Sequence, residues 1–444
     1  MNATRRMASI AVLVALCLIC INAAPLAAQD AAAGGAPKYT MAEYNAYQAA
    51  AAEKNPAAQI KLLDDFVSKY PNSSLLNYIY PLYYQNYAQQ KNFAKVIEYA
   101  NKQIALGDKT TANERYQAYS AIAYAFNNTP NPDPPLAKAA YQAAMDGAKS
   151  VDSLPKPEGF DDAKFAEEKK KAILSFYNTA ASAAMAAKDY PAAVQAYKTI
   201  LATNPDDFIA NYYLGRAYSA MTPPQQLDAL WAFARAATSK TANEKQSKQV
   251  KDYLRNTAIP KYQGGTVCDA LTDAELNELL QLASTSVDRP ASYKIFSAAE
   301  LDAARKDMNI ASVFTDLKAG GDKAKLAWTA ACGLEFPDTP GKVIEVVPSA
   351  DVIQLKLAFY TSEAEFNAAT TANLEVKIKT TDQPDAAKLQ KDDSIRFTGT
   401  LESYDPDPTF MLHFDKAKVN EEDLPKEKGG AKKPAPKKPA PKKP

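Results

Sequence analysis

Apolar and aromatic side chains recur three and four residues apart over most of the first 260 positions. Beyond position 340 they recur at every second residue. The first spacing predicts amphipathic helices, and the second predicts half-buried strands. Tyr80, Tyr83, Tyr84 and Tyr87 fall on one helical face. "AEYNAYQAAAAEKNPAAQIKLLDDFVSKYPNS" reads as a helix, an Asn55-Pro56 break and a second helix, with Pro56 in the first turn, where proline is tolerated. A helix over 93–106 ends at Gly107, a C-cap residue. A third pair starts near Asn113 with Ala121 and Tyr124, then passes through the proline-rich "TPNPDPP" to Ala137, Tyr141 and Ala144. Residues 151–171 interrupt the period and read as a long loop with a charged helix. Two more helix pairs fill 174–240, and a polar helix over 243–257 caps them.

The middle of the chain, 261–336, reads as a helical connecting subdomain. Thr272 is expected to cap a helix with Glu275 three residues on, and Ser297 and Glu300 repeat the pattern. In the alternating region, Ile353, Leu355, Leu357 and Phe359 share a face, as do Leu374, Val376 and Ile378. Ile395, Phe397 and Leu401 form another such set, followed by Phe410, Leu412 and Phe414; residues 343–347 supply a fifth strand. His413 falls on the opposite face from its neighbours and is expected to be exposed.

Residues 174–240 carry the clearest internal repeat. Ala193, Tyr197 and Ile200 lie in "KDYPAAVQAYKTILATNP", and Leu214, Gly215 and Tyr218 lie in "YLGRAY", followed by Ala229, Phe233 and Ala236. This resembles the tetratricopeptide repeat (TPR), a helix–turn–helix unit whose small residues allow close approach and whose faces are buried by stacking. The resemblance implies a TPR-like α-solenoid over 39–260 that binds protein or peptide. Tyr84, Tyr87, Tyr124 and Tyr218 occupy packing positions in that scheme. A peptide-binding groove would be lined instead by Tyr78, Gln85, Gln89, Arg115, Asn178, Tyr212 and Arg216.

The segment 337–420 suggests a small all-β barrel, with a simple β-sandwich as the alternative. "LQKDDSIRFTGTL" resembles a strand entry of OB-fold barrels, with Gly399 where a strand must bend; Asp392 stands where such barrels often have glycine. The expected fold class is therefore α+β multidomain, a TPR-like solenoid followed by an OB-like barrel. OB barrels often bind oligonucleotides or oligosaccharides. The candidate strands show little basic surface beyond Arg396, Lys356 and Lys377. Asp405 and Asp407 sit in "YDPDPTF", which reads as a rigid turn rather than a cation loop.

The ends of the chain bear on location. Arg5 and Arg6, the apolar run 7–21 and the small residues that follow predict a signal peptide over 1–28, followed by a flexible lead-in over 29–38. With no other long apolar run, no transmembrane span is expected after its removal, and a periplasmic or secreted location follows. Residues 421–444 form a lysine- and proline-rich tail that should not pack a core. Its last 20 residues hold eight Lys and one Glu, against 42 basic and 50 acidic side chains over 29–424. This asymmetry points to an anionic envelope surface as a tail partner, and gives no reason to expect nucleic acid.

Only Cys268 and Cys332 remain beyond the signal segment, an even count that suggests a disulfide in an exported chain. With one histidine in the chain, a multi-histidine metal site cannot form and a triad has a single candidate base. No cofactor and no enzymatic activity are expected. The functional expectation is an exported, non-catalytic scaffold for a protein or peptide partner in the envelope. The alternatives are oligosaccharide or oligonucleotide binding by the barrel, and a subunit of an enzyme acting on envelope polymers through paired carboxylates.

Overall fold

The computed structural model describes residues 39–265, 267–291 and 293–425. The signal-peptide assignment, the lead-in up to residue 38 and the tail from residue 426 lie outside the described residues. The chain divides into two compact units. Of the described residues, one unit comprises 39–251 together with 280–290, and the other comprises those of 252–279 together with those of 291–425.

The first unit is a helical array. Its helices are α1 (Met41–Ala52), α2 (Pro56–Lys69), α3 (Leu76–Gln89), α4 (Phe93–Ile104), α5 (Ala112–Asn128), α6 (Pro134–Ser150), α7 (Asp162–Ala186), α8 (Tyr190–Thr203), α9 (Phe208–Ala220) and α10 (Gln226–Thr238). Each packs on the next in chain order, and α5 also touches α3 and α7. Most begin at a side-chain oxygen that accepts from the first-turn amides: Thr40, Asn55, Asn92, Thr111, Asp133, Asp161, Asp189 and Asp207. The segment between α3 and α4 and that between α7 and α8 use the same three-residue turn. A lysine, Lys91 or Lys188, adopts positive φ, and the following Asn92 or Asp189 caps the next helix. In both, the cap amide reaches back five residues, to Tyr87 O and Ala184 O, each at 2.9 Å.

Small residues set the helix spacing. Ala180, Ala183, Ala193, Ala217, Ala229 and Ala236 are buried, with aromatic rings between them. A Cβ at Gly147 would meet the Phe176 ring at 2.5 Å, and one at Gly215 would meet the Phe233 ring at 2.9 Å. Tyr84 and Tyr218 are buried as expected, while Tyr87 and Tyr124 are partly buried. Residues 151–171 are less irregular than the sequence suggests. After a short 3-10 turn and a loop, the charged stretch forms the first turns of the 25-residue helix α7.

Near the end of the array, residues 280–290 are held by α10. Trp231 Nε1 donates to Val287 O at 3.0 Å. The buried Arg235 donates to Ala283 O at 2.6 Å and Pro205 O at 3.1 Å.

The polar capping helix runs further than expected. It is α11 (Glu244–Tyr253), a π-helical turn at Leu254–Ala258, and α12 (Ile259–Gln263), which ends at the left-handed Gly264. Pro260 lacks an N–H, so the ladder must shift locally for the helix to continue.

The second unit adds α13 (Asp269–Thr285), shared across the division, then α14 (Ala298–Arg305), α15 (Ile310–Ala319) and α16 (Gly321–Ala331). Strands β1 (Glu335–Pro348), β2 (Val352–Phe359), β3 (Leu374–Lys379), β4 (Ser394–Asp405) and β5 (Met411–Val419) close a barrel in the order β1-β2-β3-β5-β4. A short helix α17 (Glu363–Ala368) lies between β2 and β3. The β3–β5 pair is parallel and the others are antiparallel. This is an OB-like arrangement. The predicted inward sets fill it: Ile353, Leu355, Leu357, Val376, Phe397 and Phe414 are all buried. The pairing of β4 with β5 shifts register around Gly399, where the strand bends. Asp392 takes positive φ, the backbone state a glycine adopts there, and its amide donates to Val343 O at 2.8 Å. Val313 and Leu317 of α15 and Ala327 of α16 join the barrel core, so these helices pack with the strands.

The two glycine contacts yield a prediction of unusual sign. An interior helical Gly→Ala change normally stabilises by about 0.5–1 kcal/mol. Gly147→Ala and Gly215→Ala should instead destabilise by about 1–3 kcal/mol, because the added methyl overpacks an aromatic ring. Urea unfolding midpoints check this, and a rise in either midpoint would contradict the packing described.

Candidate functional site

The seven groove candidates all lie on the first helices of successive pairs. Tyr78, Gln85 and Gln89 are on α3, Arg115 on α5, Asn178 on α7, and Tyr212 and Arg216 on α9. Spacings of seven and four residues place the α3 set along one face. Tyr212 and Arg216 are one turn apart. Gln85, Gln89, Asn178 and Arg216 are exposed, whereas Tyr78, Arg115 and Tyr212 are half-buried.

Their side chains are engaged to different degrees. The Tyr78 ring lies 6.2 Å from Tyr47, which continues through Tyr44 to Tyr39 as a run of half-buried tyrosines. Arg115 folds back to Thr110 O at 2.6 Å. Asn178 Nδ2 donates to Leu174 O at 2.8 Å, within its own helix. Tyr212 packs edge-on to Phe233 at 5.8 Å, and Arg216 sits over the Tyr213 ring at 5.5 Å. Tyr83 and Tyr197 are core groups. Burial pushes both hydroxyls well above the usual tyrosine range, aided at Tyr83 by its bond to Asp64.

The barrel offers a different surface. Phe359, Phe410 and Tyr404 turn toward α15 and α16: Phe314 lies 5.0 Å from Phe359 and 5.1 Å from Phe410, and Trp328 lies 5.1 Å from Tyr404. The outer strand faces carry paired charges, such as Lys356 with Glu345 at 2.8 Å. His413 is not simply exposed. Its Nδ1 lies 3.3 Å from Glu375 and its Nε2 lies 2.9 Å from Asp405, with the ring largely covered. Strand register explains the contact, because Glu375 and His413 are direct partners in the parallel β3–β5 pair. The nearly buried Lys342 ties α17 to the barrel through Ala369 O at 3.0 Å and Asp392 at 3.1 Å. A shallow depression of 560 Å³ on the barrel is lined by Gln383, Thr398, Lys418, Val419, Asn420, Glu421 and Glu422.

The helical part of the second unit holds the remaining chemistry. Cys268 and Cys332 form a disulfide with Cα atoms 5.7 Å apart. The expected capping box at Thr272 and Glu275 does not form. Helix α13 begins a turn earlier, at Asp269, and the Thr272 hydroxyl donates to Cys268 O at 3.2 Å. Glu275 is buried and accepts from Gln263 Nε2 at 3.0 Å. Burial pushes its carboxyl up to about 7, with the Gln263 bond and Lys325 opposing and Glu278 reinforcing the rise. Periodicity alone could not single out this residue, because it occupies a position that fits a cap. The box at Ser297 and Glu300 does form.

Among the described residues, no group of three or more His, Cys, Asp and Glu side chains is placed to hold a metal ion. No described helix is long and apolar enough to cross a membrane. No protein-family model matches the chain, and no curated protein matches it.

The disulfide closes a loop of 64 residues. Its removal by Cys268→Ser with Cys332→Ser, or by reductant, should lower unfolding stability by up to about 4 kcal/mol in the chain-entropy account. Denaturant unfolding with and without reductant measures this, and coincident curves would leave the bond without a stabilising role.

Proposed function

We propose that the chain is an exported, non-catalytic scaffold of tetratricopeptide type that binds an extended segment of a protein partner in the cell envelope. The observation that carries this reading is the run of polar and aromatic side chains on successive first helices, from Tyr78, Gln85 and Gln89 to Tyr212 and Arg216. The shared turn at Lys91 and Lys188 and the Gly215–Phe233 contact support the repeat assignment. Amide side chains and partly exposed tyrosines suit an extended peptide, offering hydrogen bonds to its backbone and flat apolar area to its side chains.

The barrel reading has less support. Residues 252–279 and 291–425 carry 17 basic and 28 acidic side chains, a net −11 that repels anionic polymers. The large exposed hydrophobic residues among those described are Met41, Tyr253, Val287 and Val347, none of them an aromatic on a barrel strand. The tail, with eight lysines, serves as an accessory tether to an anionic envelope surface.

Crosslinking in intact envelopes should separate the two surfaces. The variant Gln85→Ala, Gln89→Ala, Arg216→Ala changes exposed side chains only. It should lose specific capture of the partner about tenfold or more, while a chain ending at Leu424 should retain it. Loss of capture on tail removal, with the triple variant unaffected, would make charge-driven attachment the main activity and reject the groove.

A further inference from the structure

Glu275 is 4% exposed and Gln263 is fully buried. Their one hydrogen bond, from Gln263 Nε2 to Glu275 Oε1, leaves Glu275 Oε2 and Gln263 Oε1 as two buried acceptors without a partner. An ionised carboxylate can satisfy neither, because it only accepts. A carboxylic acid satisfies both at once: its O–H donates to the amide oxygen while its other oxygen keeps the amide N–H. A single proton thus completes the pair and removes a buried charge. We infer that Glu275 is carried as the neutral acid, closed on Gln263 as a cyclic acid–amide pair, and that loss of this proton loosens the joint between α12 and α13.

The charged groups around this pair are bonded mostly to one another. On α13, Glu278 is bonded to Lys325 of α16 at 3.2 Å, and the two act on Glu275 in opposite directions. Asp273 is paired with Arg255 of the π-helical turn, and Asp269 lies 3.8 Å from the same guanidinium. On α14, Glu300 is tied to Ser297, and Arg305 donates to Ala330 O at 3.0 Å and lies 3.8 Å from Asp302. Lys261 on α12 is exposed, and the Cys268–Cys332 bond does not titrate.

The pH dependence follows from the direction of the shift. The carboxyl ionises near 4.5 in the unfolded chain and near 7 in the folded one. Stability from the neutral pair is therefore fully present below about 4.5, declines as pH rises, and is lost above about 7. Between pH 5 and pH 8 the folding constant of the native chain should fall by about 70-fold relative to Glu275→Gln, which keeps a two-bond amide–amide pair without a proton to lose.

Unfolding of the full chain and of Glu275→Gln across this range tests the inference. Infrared spectra of the native chain at pH 6 should also show a carboxylic-acid carbonyl band that fades by pH 8 and is missing in Glu275→Gln. Amide exchange over α12, followed in the native chain alone, should accelerate above pH 7 beyond its intrinsic pH dependence, so a variant that fails to fold still leaves a decisive reading. Parallel unfolding curves, no acid band at pH 6, or exchange that follows only intrinsic chemistry would each overturn the neutral pair.

Discussion

Close approach between neighbouring helices is the constraint on which the array depends. A helix pair of 12 to 14 residues per helix has too little apolar surface to stand alone, so each must cover the next. Buried alanines and the bare backbone at Gly147 and Gly215 bring helices near enough for the Phe176 and Phe233 rings to fill the space between them. Aromatic residues are therefore largely consumed by packing. The side chains that packing leaves exposed include Gln85, Gln89, Asn178 and Arg216, with partly covered tyrosines beside them.

Closure governs the second unit in the same way. Strand β1 pairs with both β2 and β4, so the barrel has no free edge on which another strand could add. Its interior is filled by the alternating apolar sets, and its outward aromatics pack against α15 and α16. Ion pairs and the Glu375–His413–Asp405 contacts occupy the outer strands.

Buried polar groups mark the places where the helical segments are specified rather than merely packed. Arg235 satisfies two main-chain carbonyls, one of them near the end of α13, where a cation also complements the helix dipole. Glu275 and Gln263 meet in an interior where every polar atom needs a partner. Arg235 meets its acceptors directly, whereas burial raises the Glu275 carboxyl to about 7.

Periodicity by itself determined the helical array, the five strands and their inward residues, because burial of one face repeats at 3.6 or 2 residues whatever the neighbours are. The OB-like stretch implied a bend at Gly399, where the β4–β5 register shifts, and the even cysteine count suggested the Cys268–Cys332 pair. Contacts between residues distant in sequence could be decided only by tertiary structure. The register of β3 against β5 brought Glu375 beside His413, and the start of α13 at Asp269 turned Glu275 from a surface cap into a buried acid. The seven groove candidates fall on the first helices of successive pairs, but the sequence did not show that Arg115 folds back on Thr110 or that Asn178 bonds within its own helix. A local pattern records which face is apolar; which polar group a fold encloses depends on what packs over it, and that is a property of the assembled chain.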